Sequence, residues 1–256
     1  MGGTLIILPT YNEAENVEPT VSAVRRIAPT ARILVVDDGS PDGTGLIAQR
    51  LSDADPAISV LHRTGKAGLG SAYRAAYRWA LDAGFDTIVQ MDADGSHRPD
   101  DLPSLLSASL TSDVVIGSRW VRGGDVVNWP LRRILLSRGG SAYARLGLDL
   151  PFRDITGGFR VFRAGALRLL RASDTTSEGY CFQVEMLMRS HDAGLLIVEK
   201  PITFVERVRG ESKMSAAIVH EAVVQVSRWT WGRLRSRVTP GQDSRPLDHP
   251  TATASR

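Results

Sequence analysis

Thr87-Ile88-Val89-Gln90-Met91-Asp92-Ala93-Asp94 is an apolar run that stops at two carboxylates separated by one small residue. The run reads as a short buried strand over Thr87–Met91. Asp92 and Asp94 flank a small residue just past its end. Such a pair can hold a hard divalent cation, because Mg²⁺ or Mn²⁺ takes oxygen ligands and shares them with substrate phosphates. That cation neutralises a leaving diphosphate. An Asp-x-Asp triplet alone is equally a solvated turn, so its meaning depends on what surrounds it.

Working outward, the same punctuation recurs. Thr4–Leu8 is a strand closed by Pro9, and Pro9-Thr10-Tyr11-Asn12-Glu13 follows it. Arg32–Val36 is a strand ending in Asp37-Asp38-Gly39-Ser40. Ile58–Leu61 is a third, and Val114–Gly117 runs into Ser118-Arg119. Helices are expected over Ala14–Ile27 with Asn12 as cap, over Gly45–Leu51 and Leu69–Leu81, and from Pro99, which suits a first helical turn. Apolar strands alternating with amphipathic helices predict a mostly parallel sheet covered on both faces. The polar clusters then collect at the strand C-termini, the edge where such sheets bind ligands. Tyr11 can stack on a base there, and Glu13 and Asp38 can accept from base or ribose donors. No Gly-x-Gly-x-x-Gly follows the first strand and there is no Walker A sequence, which disfavours a dinucleotide-binding or P-loop domain.

The second half is less regular. Leu131–Leu146 reads as a basic helix, Phe159–Phe162 as a strand, Phe182–His191 as a helix, and Ile197–Val205 as one long strand. Ala216–Arg235 reads as an amphipathic helix, and the Pro-, Ser- and Thr-rich segment from about Thr239 as a disordered tail.

The 256 residues are 43% hydrophobic and 23% charged, which excludes a wholly disordered chain. Cys181 is the lone cysteine, so neither an intrachain disulfide nor a Cys-rich zinc site is available. Net charge is only +3, but it is uneven: residues 119–145 carry six Arg against one Asp. Local basic surface of this kind suits phosphate groups, nucleic acid or anionic lipid. No window reaches the ~18 uncharged apolar residues of a spanning helix. The start lacks the basic flank of a secretory signal. These features predict a cytoplasmic protein, either free or resting on the cytoplasmic face of a membrane.

Taken together, Pro9–Glu13, Val36–Ser40, Asp92–Asp94 and Gly117-Ser118-Arg119 resemble the motifs of family 2 inverting glycosyltransferases. Asp154–Arg160, Glu178–Glu185, Phe204–Arg207 and Gly210–Lys213 narrow the resemblance to the dolichol- or polyprenol-phosphate mannose synthases. It spans about Thr4 to Lys213. It implies a GT-A-type nucleotide-sugar fold and transfer of mannose from GDP-mannose to a polyprenyl monophosphate. By position it assigns Pro9, Tyr11, Glu13, Val36 and Asp38 to the nucleoside. Asp92 and Asp94 fall to the metal (Mg²⁺ or Mn²⁺), with Ser96 as third ligand and Ala93 beside them on the donor. Ser96 stands in Gly95-Ser96-His97, where some relatives have Leu-Gln-His, and a hydroxyl is a weaker ligand than a carboxamide. Arg119 and Arg133 would bind the acceptor phosphate, and Arg207 and Lys213 the donor diphosphate.

The implied organisation is a catalytic domain over residues 1–213, an amphipathic membrane-interface helix over 214–237 and a tail over 238–256. The implied partners are GDP-mannose, the lipid phosphate, the membrane surface and a separate membrane-anchoring protein. Leu131, Ile134, Leu135 and Leu136 beside arginines, and Trp229 and Trp231 beside Arg228 and Arg233, fit helices lying on anionic headgroups. Two rivals stay open on sequence: a UDP-sugar-dependent glucosyltransferase on the same fold, and a non-catalytic nucleotide- or nucleic-acid-binding module. Nucleic acid is not expected, since Asp92 and Asp94 would repel phosphate unless a metal intervened.

Overall fold

The computed structural model describes residues 2–206 and 216–238. In chain order the elements begin β1 (Thr4–Thr10), α1 (Val17–Ile27), β2 (Arg32–Asp37), α2 (Thr44–Ala54), β3 (Ile58–His62), α3 (Leu69–Asp82) and β4 (Thr87–Gln90). A 3-10 turn over Pro99–Asp101 leads into α4 (Leu102–Ala108), followed by β5 (Val114–Ser118), β6 (Asp125–Val127) and α5 (Leu131–Leu148). The last elements are β7 (Arg160–Arg163), α6 (Ala164–Leu169), α7 (Gly179–Asp192), β8 (Ile197–Pro201), β9 (Thr203–Val205) and α8 (Ala216–Val238).

Among the described residues the strands form a seven-stranded sheet in the order β3-β2-β1-β4-β7-β5-β8, and a two-stranded sheet of β6 and β9. In the large sheet β7 alone runs antiparallel to both its neighbours, β4 and β5. Side chains alternate across a strand, so each strand feeds two cores. Ile6, Leu8, Ile33, Val35 and Val89 pack with α1 and α4 on one face. Leu5, Ile7, Leu34, Val36 and Ile88 pack with α3, α6 and α7 on the other. This is why the strands read as unbroken apolar runs. A third cluster joins Ala144 and Leu148 of α5, Val184 and Leu187 of α7 and Val226 of α8.

The predicted first helix starts late, at Val17 rather than Ala14. Asn12 does not cap it; it takes a left-handed φ of 57° in the turn before. The predicted long strand over Ile197–Val205 is two strands in two sheets. Pro201 has no N–H to continue the ladder. Past it the Ile202 N–H donates to Ser118 O at 3.1 Å, and β9 turns away to pair with β6. The short strand β6 and helix α6 had no signal strong enough to place them from sequence. The expected tail beyond Val238 lies outside the described residues.

Candidate active site

The parallel strands end together, and the polar residues after β1, β2, β4 and β5 meet there. A cavity of about 540 Å³ opens at that edge. Pro9, Tyr11, Glu13, Asp38, Asp92, Ala93, Asp94, Arg119 and Arg133 all line it. Nine residues picked from five separate segments are thus brought to one wall. Val36 is not among them: its side chain is fully buried against α3, and its carbonyl accepts a hydrogen bond from Thr10 Oγ1. Arg207 and Lys213 lie outside the described residues.

The nucleoside end is built around a carboxylate. Asp38 pairs with Arg63 at 2.5 Å and accepts the Ala67 backbone N–H at 3.3 Å. Those two contacts fasten the loop between β3 and α3. Lys66 on that loop sits 4.5 Å from the centre of the Tyr11 ring and also lines the cavity. Glu13 is anchored through its main chain, whose N–H donates to Thr44 Oγ1 at 2.9 Å.

The paired carboxylates come next. Asp94 Oδ1 accepts from both the N–H and the hydroxyl of Ser96, at 3.0 and 2.6 Å. Ser96 is buried and does not line the cavity. Its hydroxyl donates to Asp94 and braces the carboxylate that it was expected to join as a third ligand. His97, also buried, accepts the Asp92 backbone N–H on Nδ1 at 2.9 Å. That places the ring proton on Nε2, which lies 3.8 Å from Asp92 Oδ2. His97 stacks on Phe159 at 4.9 Å and meets Phe204 edge-on at 5.3 Å. Its hydrogen bond and ring contacts hold the loop that carries Asp92. Two hard oxygen donors on a rigid strand end fit a divalent cation whose other ligands are diphosphate and water. No group of three His, Cys, Asp or Glu suited to a metal occurs among the described residues.

Arg119 follows β5 and is mostly buried. Its Nε and Nη2 grip both oxygens of Asp154 at 2.8 and 2.6 Å, and its backbone N–H adds a bond at 2.9 Å. Asp154 is wholly buried. Burial by itself would raise its pKa, but the Arg119 charge and hydrogen bonds outweigh that and hold it below the ordinary carboxylate value. Arg160, fully buried, gives its guanidinium to three backbone carbonyls, those of Ile155, Gly157 and Gln183. Burial lowers its pKa to about 10. In the sequence Asp154–Arg160 carries only the resemblance, with no role for Asp154 or Arg160. The pairing of Asp154 with Arg119 is visible only in three dimensions.

Arg133, near the start of α5, pairs with Glu206 and lies 4.1 Å over the Trp129 ring. Beyond it the cavity becomes apolar, running between α5 and α8 past Leu136, Tyr143, Ala144, Val223 and Val226. α8 is fixed there by Tyr143, whose hydroxyl is 2.7 Å from Ser227 Oγ, and by Arg233 on Leu148 O and Asp192. Gly147 lets the two helices approach: a Cβ there would fall 2.7 Å from Thr230 Oγ1.

A nucleoside-sized pocket, paired carboxylates on a parallel sheet edge and arginines around the next compartment define a nucleotide-sugar transferase of the GT-A type. The chain belongs to glycosyl transferase family 2, whose model matches residues 5–170. It is 52% identical over 238 residues to an undecaprenyl-phosphate mannosyltransferase of Micrococcus luteus, covering 91% of this chain and 98% of that one. It is 49% identical to a polyprenol monophosphomannose synthase of Mycolicibacterium smegmatis, covering 88% and 86%. Among solved structures it resembles a mannosyltransferase of Pyrobaculum calidifontis in complex with GDP-Man and Mn²⁺ (TM-score 0.54, 18% identity, 93% and 76% covered). It also resembles the glucosyl-3-phosphoglycerate synthase of Mycobacterium tuberculosis with Mn²⁺, UDP-glucose and phosphoglyceric acid (TM-score 0.64, 20% identity, 91% and 79% covered). At these identities the solved structures establish the shared fold.

Proposed function

We propose that this enzyme transfers mannose from GDP-mannose to the phosphate of a polyprenyl monophosphate, with inversion at the anomeric carbon. One observation carries the reading. A single cavity runs from the carboxylates after β4, past Arg119 and Arg133, into the apolar crevice between α5 and α8. A water-soluble donor fits one end and an isoprenyl chain the other. The names of the two relatives near 50% identity support the same acceptor and sugar.

The acceptor phosphate has a second pKa near ~6, so it is largely ionised at neutral pH and needs no strong base. One of its oxygens forms the new bond to C1 of mannose as the bond from C1 to the diphosphate oxygen breaks, and GDP leaves with that electron pair. The protein's task is to bring two anions together. Arg133 and Arg119, the latter with its Nε–Nη2 edge already on Asp154, put guanidinium charge where the acceptor phosphate would sit. Asp154 locks the plane of Arg119, and its charge keeps that buried arginine from being an unpaired cation. Tyr11 and Lys66 close the nucleoside end, with Asp38 holding the Lys66 loop in place. Asp92 and Asp94 would hold Mg²⁺ or Mn²⁺, which stabilises the charge developing on GDP. Ser96 and His97 keep both carboxylates aimed at the cavity.

No helix among the described residues is long and apolar enough to cross a membrane. We read the enzyme as peripheral on the cytoplasmic face, with residues 1–213 catalytic and α8 part of the membrane-facing surface. Leu131 and Leu135 are 70% and 62% exposed on α5, and Trp231 is 61% exposed on α8. Exposed Arg132, Arg138, Arg228 and Arg235 accompany them. A separate anchoring protein is then needed only if the chain does not hold vesicles unaided.

The test is transfer of radiolabelled mannose from GDP-mannose into lipid-extractable product, with polyprenyl phosphate and Mn²⁺ or Mg²⁺. Transfer that requires the ion and falls at least a hundredfold in Asp94→Ala is expected. Transfer from UDP-glucose alone would change the donor and keep the fold. Absence of transfer from any nucleotide sugar, with membrane extract added, would remove the enzymatic reading.

A further inference from the structure

The guanidinium of Arg133 is held on two sides. One face lies 4.1 Å over the Trp129 ring. Trp129 is wedged edge-on between Phe204 at 5.2 Å and Trp120 at 6.4 Å, so its plane is fixed by packing. Nη1 is bonded to the carboxylate of Glu206. Nε is buried and has no hydrogen-bond partner among the described residues. Glu206 itself is tethered by its main chain, whose N–H donates to Val127 O at 2.9 Å just past the β6–β9 pair. Both Trp129 and Arg133 line the cavity, at the boundary between its polar and apolar ends.

Glu206 meets the guanidinium through Nη1, away from the edge shared by Nε and Nη2. A phosphate monoester dianion in its place brings twice the charge. An arginine side chain only 15% exposed and left with no anion would be disfavoured, and Glu206 is the anion that stands in before the acceptor arrives. We infer that Trp129 and Glu206 together set the headgroup site of Arg133. The indole fixes the plane of the guanidinium, and Glu206 pairs with it until an incoming phosphate displaces the carboxylate. The inference rests on the acceptor assignment of Arg133 made above.

This arrangement makes Glu206 a specificity residue. A phosphodiester carries one charge, like the carboxylate it would replace, and gains little by the exchange. A monoester dianion gains a second charge. The site therefore selects polyprenyl monophosphate over its diester derivatives, which include the product.

The experiment measures steady-state mannose transfer by the full chain, with acceptor and donor varied separately, for wild type, Arg133→Ala, Trp129→Leu, Trp129→Phe and Glu206→Gln. The methyl phosphodiester of the same lipid serves as inhibitor. Trp129→Leu is expected to raise the acceptor KM about tenfold and Trp129→Phe less, because only phenylalanine keeps an aromatic face under the cation. Glu206→Gln is expected to lower the acceptor KM several-fold and to strengthen inhibition by the diester. Donor KM should stay within about twofold of wild type in the Trp129 and Glu206 variants. An acceptor KM that rises or stands still in Glu206→Gln overturns the inference, as does an unmoved one in Trp129→Leu. If Arg133→Ala leaves the acceptor KM unchanged, the acceptor assignment fails and the inference with it. A rise in Arg133→Ala without the opposed shifts of the other variants defeats the inference alone.

Discussion

At the scale of single residues, the site depends on side chains that never touch the reacting atoms. Asp154 shows this most directly. It is fully buried and holds Arg119 through three hydrogen bonds, so removing its charge leaves a buried guanidinium uncompensated. Asp154→Asn is expected to destabilise the fold by about 3–5 kcal/mol and to weaken acceptor use. The sign of its acid dependence follows from its depressed pKa. The contribution is complete above the unfolded value of ~3.9 and disappears as pH falls through the lower folded value. Urea denaturation from neutral pH down to about pH 3 should show a steeper acid loss in wild type than in Asp154→Asn. Equal slopes would remove Asp154 from the acid-sensitive groups. In the sequence Asp154 was one member of a resembling motif, with nothing to say which cation it faced 35 residues away.

At the scale of elements, the junction of α3 and α7 shapes the cavity floor. Glu178 precedes α7, yet its carboxylate accepts the Ser71 N–H in the first turn of α3 at 3.1 Å and pairs with Arg74. A donor that α3 cannot satisfy within its own turn is satisfied by the neighbouring helix's cap. The approach requires Gly70, where a Cβ would press into the Ser177 carbonyl oxygen. Gly70→Ala should cost about 1–3 kcal/mol through forced separation of the helices. It should also raise the donor KM, since Gly68, Leu69 and Glu178 line the cavity. Gly165→Ala, whose added Cβ meets nothing within 4 Å, is the control and should be neutral or mildly stabilising. Thermal melts and donor titrations on both variants check this. A Gly70→Ala protein that melts with wild type would show the junction to be looser than its geometry.

At the scale of the whole molecule, α5 combines exposed leucines with exposed arginines. The exposed leucines and arginines of α5 flank the same crevice that opens from the cavity. Binding to vesicles containing anionic lipid is expected, and Leu131→Glu with Leu135→Glu should weaken it at least tenfold, as two leucines at about 1.5–3 kcal/mol each would leave the bilayer. Raising salt from about 0.1 M to about 1 M should weaken binding of wild type only in part, since the Debye length shrinks but apolar burial remains. Co-sedimentation measures both. Vesicle binding equal in wild type and the double variant would move the membrane-facing surface elsewhere.

The sequence by itself determined the strand and helix alternation, the two-faced sheet and the collection of Asp38, Asp92, Asp94 and Arg119 at one edge. These follow from local pattern: apolar runs with period two feed both cores, and polar residues fall where the runs stop. It misjudged Ile197–Val205, because the apolar pattern continues across Pro201 while the hydrogen-bond ladder does not. It gave Ser96 only the expectation of a third ligand, and left His97, Trp129, Asp154 and Glu206 without roles. Those roles depend on partners between two and 73 residues distant, from Ser96 on Asp94 to Glu206 on Arg133. Only the tertiary structure brings such pairs within hydrogen-bond distance. It decided that Ser96 braces a carboxylate, that Arg119 is framed by a buried aspartate, and that a polar pocket and an apolar crevice form one cavity. Charge pairing and packing are set by which segments meet, and a linear pattern carries that only as resemblance.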